Sequence, residues 1–233
     1  MPVLFEDFQS FAIGATSPFG SLTGQGSIAN GATPDGLIGP YGQDRFLIEN
    51  AGGVAFSDGV ARTSGSIFCS FMLPTQLFTD FLIQTWSGAA LSGYPSLNVR
   101  VNADGTISLT DQLNFPFATT TRALRLNVWY YLQVNCSFSV GTGGHYVIDY
   151  SLTIDGDELL SGTYQTSSGL GSPWWMSTVW ETLPSIGFSN IGIDTLQSPG
   201  FVQTPGSPIA RVTAQVIEVI GKITAQPWIV YEA

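Results

Sequence analysis

Apolar and polar residues alternate through the middle of the chain, and this alternation predicts β-strands. The pattern covers residues 97–102, 107–109, 129–138 and 146–154. A period of two places the apolar side chains of a strand on one face and the polar side chains on the other. Asp104 with Gly105 follows the first run and Asp155 with Gly156 follows the last, and both pairs are typical of turns. We therefore predict half-buried antiparallel strands of a β-sandwich.

Further strands are predicted on both sides of this region. They occupy residues 4–8, 67–73, 81–86 and 185–193. Helical periodicity is nearly absent, and the 27 glycines and 13 prolines suit short strands joined by tight turns. Residues 161–184 are rich in Gly, Ser and Thr, which predicts a long loop. The predicted fold is an all-β sandwich of two antiparallel sheets with a β-rich C-terminal arm.

The predicted domain organisation has three parts. Residues 1–198 form the sandwich, the Pro/Gly-rich stretch 199–208 is a linker, and 209–233 form the arm. Within the arm, residues 211–215 are echoed by 222–226, and each copy leads into an apolar, β-prone segment. Such a segment either inserts into its own sandwich or pairs with another subunit, since a free apolar strand promotes aggregation. The candidate assembly residues are Val212, Val216, Ile217, Val219, Ile223, Trp228, Ile229 and Tyr231.

The charge balance excludes some classes of partner. The formal net charge is −10, with only seven Lys and Arg residues. Nucleic acids and anionic membranes attract clustered cations, so we predict neither as a partner. The N-terminal residues lack a basic region followed by an apolar core, which predicts no secretory signal and assembly in a cytoplasm.

Catalytic and metal chemistry finds little support in the sequence. A sandwich glycosidase needs two carboxylates on one face of a cleft, and adjacent Glu6 and Asp7 point to opposite faces of a strand. Two cysteines and one histidine do not make a usual zinc site, and Cys69 and Cys136 fall at core-facing positions that favour buried thiols over a disulfide. We predict no enzyme activity, no catalytic residue, no cofactor and no metal.

Four aspartates keep a calcium site open as an alternative. Calcium prefers hard oxygen ligands, but each of these residues also has an ordinary role in a turn. The residues are Asp104, Asp111, Asp155 and Asp157.

A cluster of tryptophans is the best candidate for binding a small ligand. Trp174, Trp175 and Trp180 lie in the predicted loop, and exposed tryptophans stack on sugar rings. The alternative, which the sequence favours, is that they close one end of the sandwich or pack at a subunit interface.

Several segments together resemble a known family. They are LFEDF at 4–8, LNVRVNADGTI at 97–107, WYYLQV at 129–134, SLTIDG at 151–156 and IGFSNIGID at 186–194. In this order they resemble the concanavalin A-like, laminin-G-type jelly roll, and more narrowly the versions found in virion proteins of tailed phages. The segment ARVTAQVIEV at 210–219 is similar to C-terminal segments of phage structural proteins. The resemblance implies the fold and a virion location, and it carries over no site residue.

The predicted function is that of a structural virion protein, either a capsid decoration protein or a minor tail protein. It would assemble through residues 209–231 with other virion proteins and with copies of itself as a homo-oligomer. The alternative is a carbohydrate-binding module that uses the tryptophan-rich loop to attach to a host glycan.

Overall fold

Fifteen β-strands account for nearly all regular structure among the described residues. The computed structural model describes residues 3–24, 27–30, 45–48, 52–73, 80–89, 92–167, 169, 171–182 and 187–195. The first eight strands are β1 Leu4–Glu6, β2 Thr23–Gly24, β3 Ser27–Asn30, β4 Arg45–Ile48, β5 Gly52–Arg62, β6 Ser64–Met72, β7 Asp80–Trp86 and β8 Pro95–Val101. The others are β9 Ile107–Thr110, β10 Pro116–Thr119, β11 Trp129–Val140, β12 Tyr146–Ile154, β13 Asp157–Gln165, β14 Trp175–Thr182 and β15 Gly187–Asp194.

Two antiparallel sheets contain these strands. The eight-stranded sheet has the order β13-β12-β11-β6-β15-β4-β3, with β1 also paired to β15. The seven-stranded sheet has the order β10-β9-β8-β7-β14-β5-β2. Two antiparallel sheets whose inner faces meet form a β-sandwich, so the predicted jelly-roll fold class is confirmed.

The core between the sheets follows the alternation read from the sequence. In β11, Leu132, Val134 and Phe138 are buried core residues, and Cys136 lies in the same series. Cys69 and Cys136 are both buried and free, which confirms the prediction of two core thiols. Burial also raises the pKa of the Cys136 thiol to about 12, so this thiol stays protonated at neutral pH.

The late strand β15 organises the eight-stranded sheet. It pairs with β6 along one edge, while β4 and then β1 share its other edge. A Cβ atom at Gly192 would lie 2.3 Å from Cζ of Phe68 and 2.6 Å from the carbonyl oxygen of Leu4. The N-terminal strand therefore reaches its place because β15 carries a glycine where the two backbones approach.

The prediction of a long loop at residues 161–184 is wrong. Its first residues belong to β13, and its last form β14, which lies between β7 and β5. Trp175 and Trp180 are fully buried in the core, as the packing alternative expects, and are not accessible to a ligand. A register shift between Trp175 and Ser177 breaks the period of two, so the sequence pattern did not look like a strand.

The C-terminal part of the chain lies outside the described residues. This applies to the linker 199–208, to the arm 209–233 and to every candidate assembly residue named above. The described residues belong to the unit Met1–Pro199. The division at residue 198 and the role of the arm therefore stay predictions. In the described part of the chain, no helix is long and apolar enough to cross a membrane.

Adjacent tryptophans provide a matched test of this packing. Trp175 is fully buried with its ring centroid 5.4 Å from that of Phe138, whereas Trp174 is 37% exposed. We expect Trp175→Ala to lower the free energy of unfolding by about 3–5 kcal/mol because it opens a cavity in the core. Trp174→Ala should cost less than about 1 kcal/mol. Urea unfolding monitored by circular dichroism measures both, and equal losses would contradict the burial pattern.

Candidate functional site

The outer face of the seven-stranded sheet carries a row of polar side chains. Cross-strand register aligns Thr110 with Asn98, and Asn98 with Gln84, across β9, β8 and β7. The same row continues through Val179 on β14 to Ala55 on β5. Because these residues alternate with core residues of the same strands, they lie on the face opposite the core.

Two neighbouring rows complete this surface. In one, Ser108 lies opposite Arg100, and Arg100 lies opposite Phe81. In the other, Trp86 lies opposite Ser177. We define the polar face as the group Gln84, Trp86, Asn98, Arg100, Ser108 and Thr110.

The polar face is shielded from bulk water to an unusual degree. Asn98 and Thr110 have no exposed surface, and Gln84 is only 7% exposed. Part of the shielding comes from the turn between β9 and β10, because Asn98 Nδ2 donates to the Asp111 carbonyl at 3.2 Å and to Asn114 Oδ1 at 3.3 Å. Polar side chains on an outer sheet face are usually solvated, so this shielding sets the surface apart.

Three polar atoms of this face are buried without a hydrogen-bond partner. They are Asn98 Oδ1, Trp86 Nε1 and Arg100 Nε. The side-chain amide of Gln84 likewise has no hydrogen bond to a described residue. A buried polar group without a partner costs about 1–3 kcal/mol, and native proteins contain few of them. Trp175 and Trp180 also leave their indole N–H groups unpaired, but inside the core.

The turn that borders the polar face is held by a buried aspartate. The carboxylate of Asp111 accepts hydrogen bonds from the backbone N–H of Leu113 and Phe115 at 3.0 and 3.1 Å. Its other oxygen accepts from the hydroxyls of Tyr164 at 3.0 Å and Ser167 at 2.8 Å. Four donors occupy this carboxylate, so Asp111 shapes the turn.

The other three aspartates of the calcium alternative also have turn or pairing roles. Asp104 accepts hydrogen bonds from Thr106, and Asp155 accepts one from the backbone N–H of Tyr131 at 2.8 Å. Asp157 Oδ2 lies 3.4 Å from Arg122 Nη1. The described residues contain no group of three metal-ligating side chains.

Exposed aromatic residues lie at the end of the sheet where this turn is found. β8 and β14 both begin there, and β9 ends there, because neighbouring strands are antiparallel. Tyr94 directly precedes β8 and is 51% exposed, and Trp174 directly precedes β14 and is 37% exposed. Phe115 in the turn is 55% exposed. A hydrogen bond of 2.9 Å from Ser96 Oγ to the Trp174 carbonyl fixes the approach to β14. We call Tyr94, Phe115 and Trp174 the aromatic rim.

The carboxylate of Glu181 lies on β14, at the end of the strand opposite the aromatic rim. Glu181 has the same parity in β14 as Val179, which belongs to the outer row. Burial, with a further contribution from the negative charge of Asp80, raises the pKa of Glu181 to about 7. Glu181 is not among the residues predicted from the sequence, because it falls in the predicted loop.

The eight-stranded sheet carries a different polar surface. A shallow groove of about 330 Å³ is lined by residues that include Asn135, Ser137, Asp149 and Thr163. Here the side chains bond to one another, for example from Thr163 Oγ1 to Asp149 Oδ1 at 2.6 Å and from Asn135 Nδ2 to Ser151 Oγ at 3.0 Å. These polar side chains therefore have hydrogen-bond partners within the protein, unlike the three unpaired atoms of the polar face.

Comparison with known proteins gives the class of fold. No family model and no curated protein matches the sequence. The chain is similar to the solved structure of alginate lyase Aly36B, with a TM-score of 0.55 and 11% identity over 82% of this chain and 96% of that chain. It is also similar to Cip1, a cellulose-induced protein, with a TM-score of 0.55 and 10% identity over 85% and 100% of the two chains.

A third solved structure, Trypanosoma rangeli sialidase, has a TM-score of 0.50 and 11% identity over 82% of this chain and 30% of that chain. At these identities the likeness concerns the fold alone, which is a jelly-roll β-sandwich. None of the three structures is named as a virion protein, so the phage part of the resemblance stays a prediction.

The raised pKa of Glu181 makes a testable prediction about stability. Its ordinary value is 4.5, so the folded protein retains a proton that the unfolded chain loses between about pH 4.5 and pH 7. Stability therefore falls as pH rises through this window. Glu181→Gln removes this titration. The free energy of unfolding of the variant, relative to that of the wild type, should therefore be higher at pH 8 than at pH 5 by on the order of 1 kcal/mol, a value that allows for solvent screening.

Urea unfolding at the two pH values measures this difference. The matched control is Glu158→Gln, because Glu158 is an exposed residue of β13. A pH dependence that Glu181→Gln leaves unchanged would contradict the assignment.

Proposed function

We propose that this protein binds a glycan on the polar face of its seven-stranded sheet. The observation that carries the proposal is the set of three buried polar atoms without a partner, on Trp86, Asn98 and Arg100. All three lie on adjacent strands and on one face, and the side chains of Trp86 and Arg100 are only half-buried. One ligand lying across β7 and β8 would contact these two side chains, and a small side-chain movement would bring it to the buried atoms.

The chemistry of this surface suits a saccharide. Asn98 Oδ1 needs a donor, while Trp86 Nε1 and Arg100 Nε need acceptors. A sugar hydroxyl donates and accepts, so a row of hydroxyls would serve all of them. The aromatic rim adds exposed ring faces, on which the apolar C–H face of a sugar packs. Within this proposal Trp174 contacts the ligand, whereas Trp175 and Trp180, which are buried in the core, do not.

The comparisons support the proposal at the level of the fold. Two of the similar structures are, by name, an alginate lyase and a sialidase, and both names refer to carbohydrate substrates. One fold hosts many functions, so this likeness supports the class of ligand and assigns no residue. The absence of enzyme activity stays a prediction.

The structural virion role also stays a prediction. It depends on residues 209–231, on a virion location, and on other virion proteins or further copies of the chain as partners. It is compatible with the present proposal, because a virion surface protein with a glycan-binding face would serve as an adhesin for the host.

A glycan array probed with the full chain is the first experiment, followed by calorimetric titration of the best oligosaccharide. We expect Trp86→Phe to weaken binding about tenfold, because it removes the indole N–H and keeps an aromatic ring. The same change should leave the free energy of unfolding unchanged or raised, since that N–H has no partner in the free protein.

The matched control is Ser137→Ala on the eight-stranded sheet, which should leave the affinity unchanged. The proposal is wrong if no glycan binds the full chain. It is equally wrong if a bound glycan loses affinity with Ser137→Ala but not with Trp86→Phe.

A further inference from the structure

Arginine side chains in the described part of the chain differ in how they are paired. Arg62 pairs with Asp58, and Arg122 lies 3.4 Å from Asp157. Arg45 donates from Nη1 to two carbonyl oxygens, at 3.0 and 2.6 Å. Each of these guanidinium groups has an oxygen acceptor within the protein.

Arg100 is partly buried and has no such acceptor among the described residues. Its Nε is buried without a hydrogen bond, and its guanidinium carbon lies 5.8 Å from the centre of the Phe81 ring. The cross-strand neighbours of Arg100 are Phe81 and Ser108, so neither supplies a negative charge. The protein has 17 Asp and Glu residues, so the lack of a carboxylate here is not due to a shortage of them.

A cation in this position is costly unless an anion joins it. Partial burial removes water from the guanidinium, and charged groups inside proteins are normally paired for this reason. The contact with Phe81 compensates only in part, because a cation–π contact contributes about 0.5–2 kcal/mol. It also holds the guanidinium on the polar face, and the Nη atoms are not among its buried unpaired atoms, so their N–H donors are available.

We infer that Arg100 makes the polar face selective for an acidic sugar, whose carboxylate it would bind. The planar fork of N–H donors matches a carboxylate, which accepts two parallel hydrogen bonds. Asn98 lies two residues away on the same face of β8, and Gln84 lies opposite Asn98, so the residues beside the guanidinium are neutral amides and add no second charge. This inference rests on the proposed glycan-binding function and names its ligand class as uronate-containing oligosaccharides.

The test compares an oligogalacturonate with its methyl ester, which has the same backbone without the charge. Calorimetric titration of the full chain should give an affinity for the acid at least about tenfold above that for the ester. Arg100→Gln should abolish this ratio, because it weakens binding of the acid more than binding of the ester. Arg100→Lys should keep part of the ratio, because it retains the charge without the fork.

A charge-matched control is Arg125→Gln, an exposed arginine outside the polar face, which should retain the ratio. Trp86→Phe should weaken both ligands together, because it acts on the shared surface. Unchanged thermal melting of each variant shows that the fold is intact, and Arg100→Lys keeps the test informative if Arg100→Gln does not fold.

The outcomes separate the two proposals. Equal affinity of the wild type for acid and ester, or an acid preference that survives Arg100→Gln, overturns the role of Arg100 and leaves glycan binding standing. Binding of a sulfated galactan in place of both probes overturns the carboxylate assignment. Failure to bind any glycan on the array overturns the role of Arg100 and the proposed function together.

Discussion

The position of β14 between β7 and β5 is the constraint on which the rest of this structure depends. Its inner face buries Trp175 and Trp180 in the core, and its outer face aligns Val179 with Gln84 and Ala55. A shift of register by one residue would exchange these faces. The packing of two large indoles therefore fixes the register, and the register places Gln84 and Trp86 in the polar face beside Asn98 and Arg100.

The polar face is organised at a cost to the stability of the free protein. Each buried atom without a partner lowers stability, whereas most other buried polar groups are satisfied, as Asp111 is by its four donors. Three of the unpaired atoms lie on one face of two adjacent strands, where a bound ligand would gain hydrogen bonds without competing for them. The shared chemistry of Arg100, Asn98 and Trp86 indicates a polar ligand with both donors and acceptors.

The sequence predicts the fold better than the site, for a physical reason. Strands such as β11 and β12 have one buried face, so their alternation is visible, and both thiols follow it. β14 is buried on both faces and has a register shift, and all of it lay in the predicted loop, as did residues 161–165 of the exposed edge strand β13. Asn98 and Arg100 appeared as ordinary solvent-facing positions, because the burial of Asn98 Oδ1 and Arg100 Nε depends on side-chain packing across β7, β8 and β9 that the alternation does not show.

The indole N–H resonances of a ¹⁵N-labelled full chain, titrated with a glycan that binds, test the central claim most directly. The chain has six tryptophans, and Trp86→Phe assigns the resonance in question. If the polar face binds the glycan, the Trp86 N–H signal shifts as its nitrogen gains an acceptor, and the signals of Trp175 and Trp180 in the core stay in place. A Trp86 signal that does not move at saturation would contradict the account.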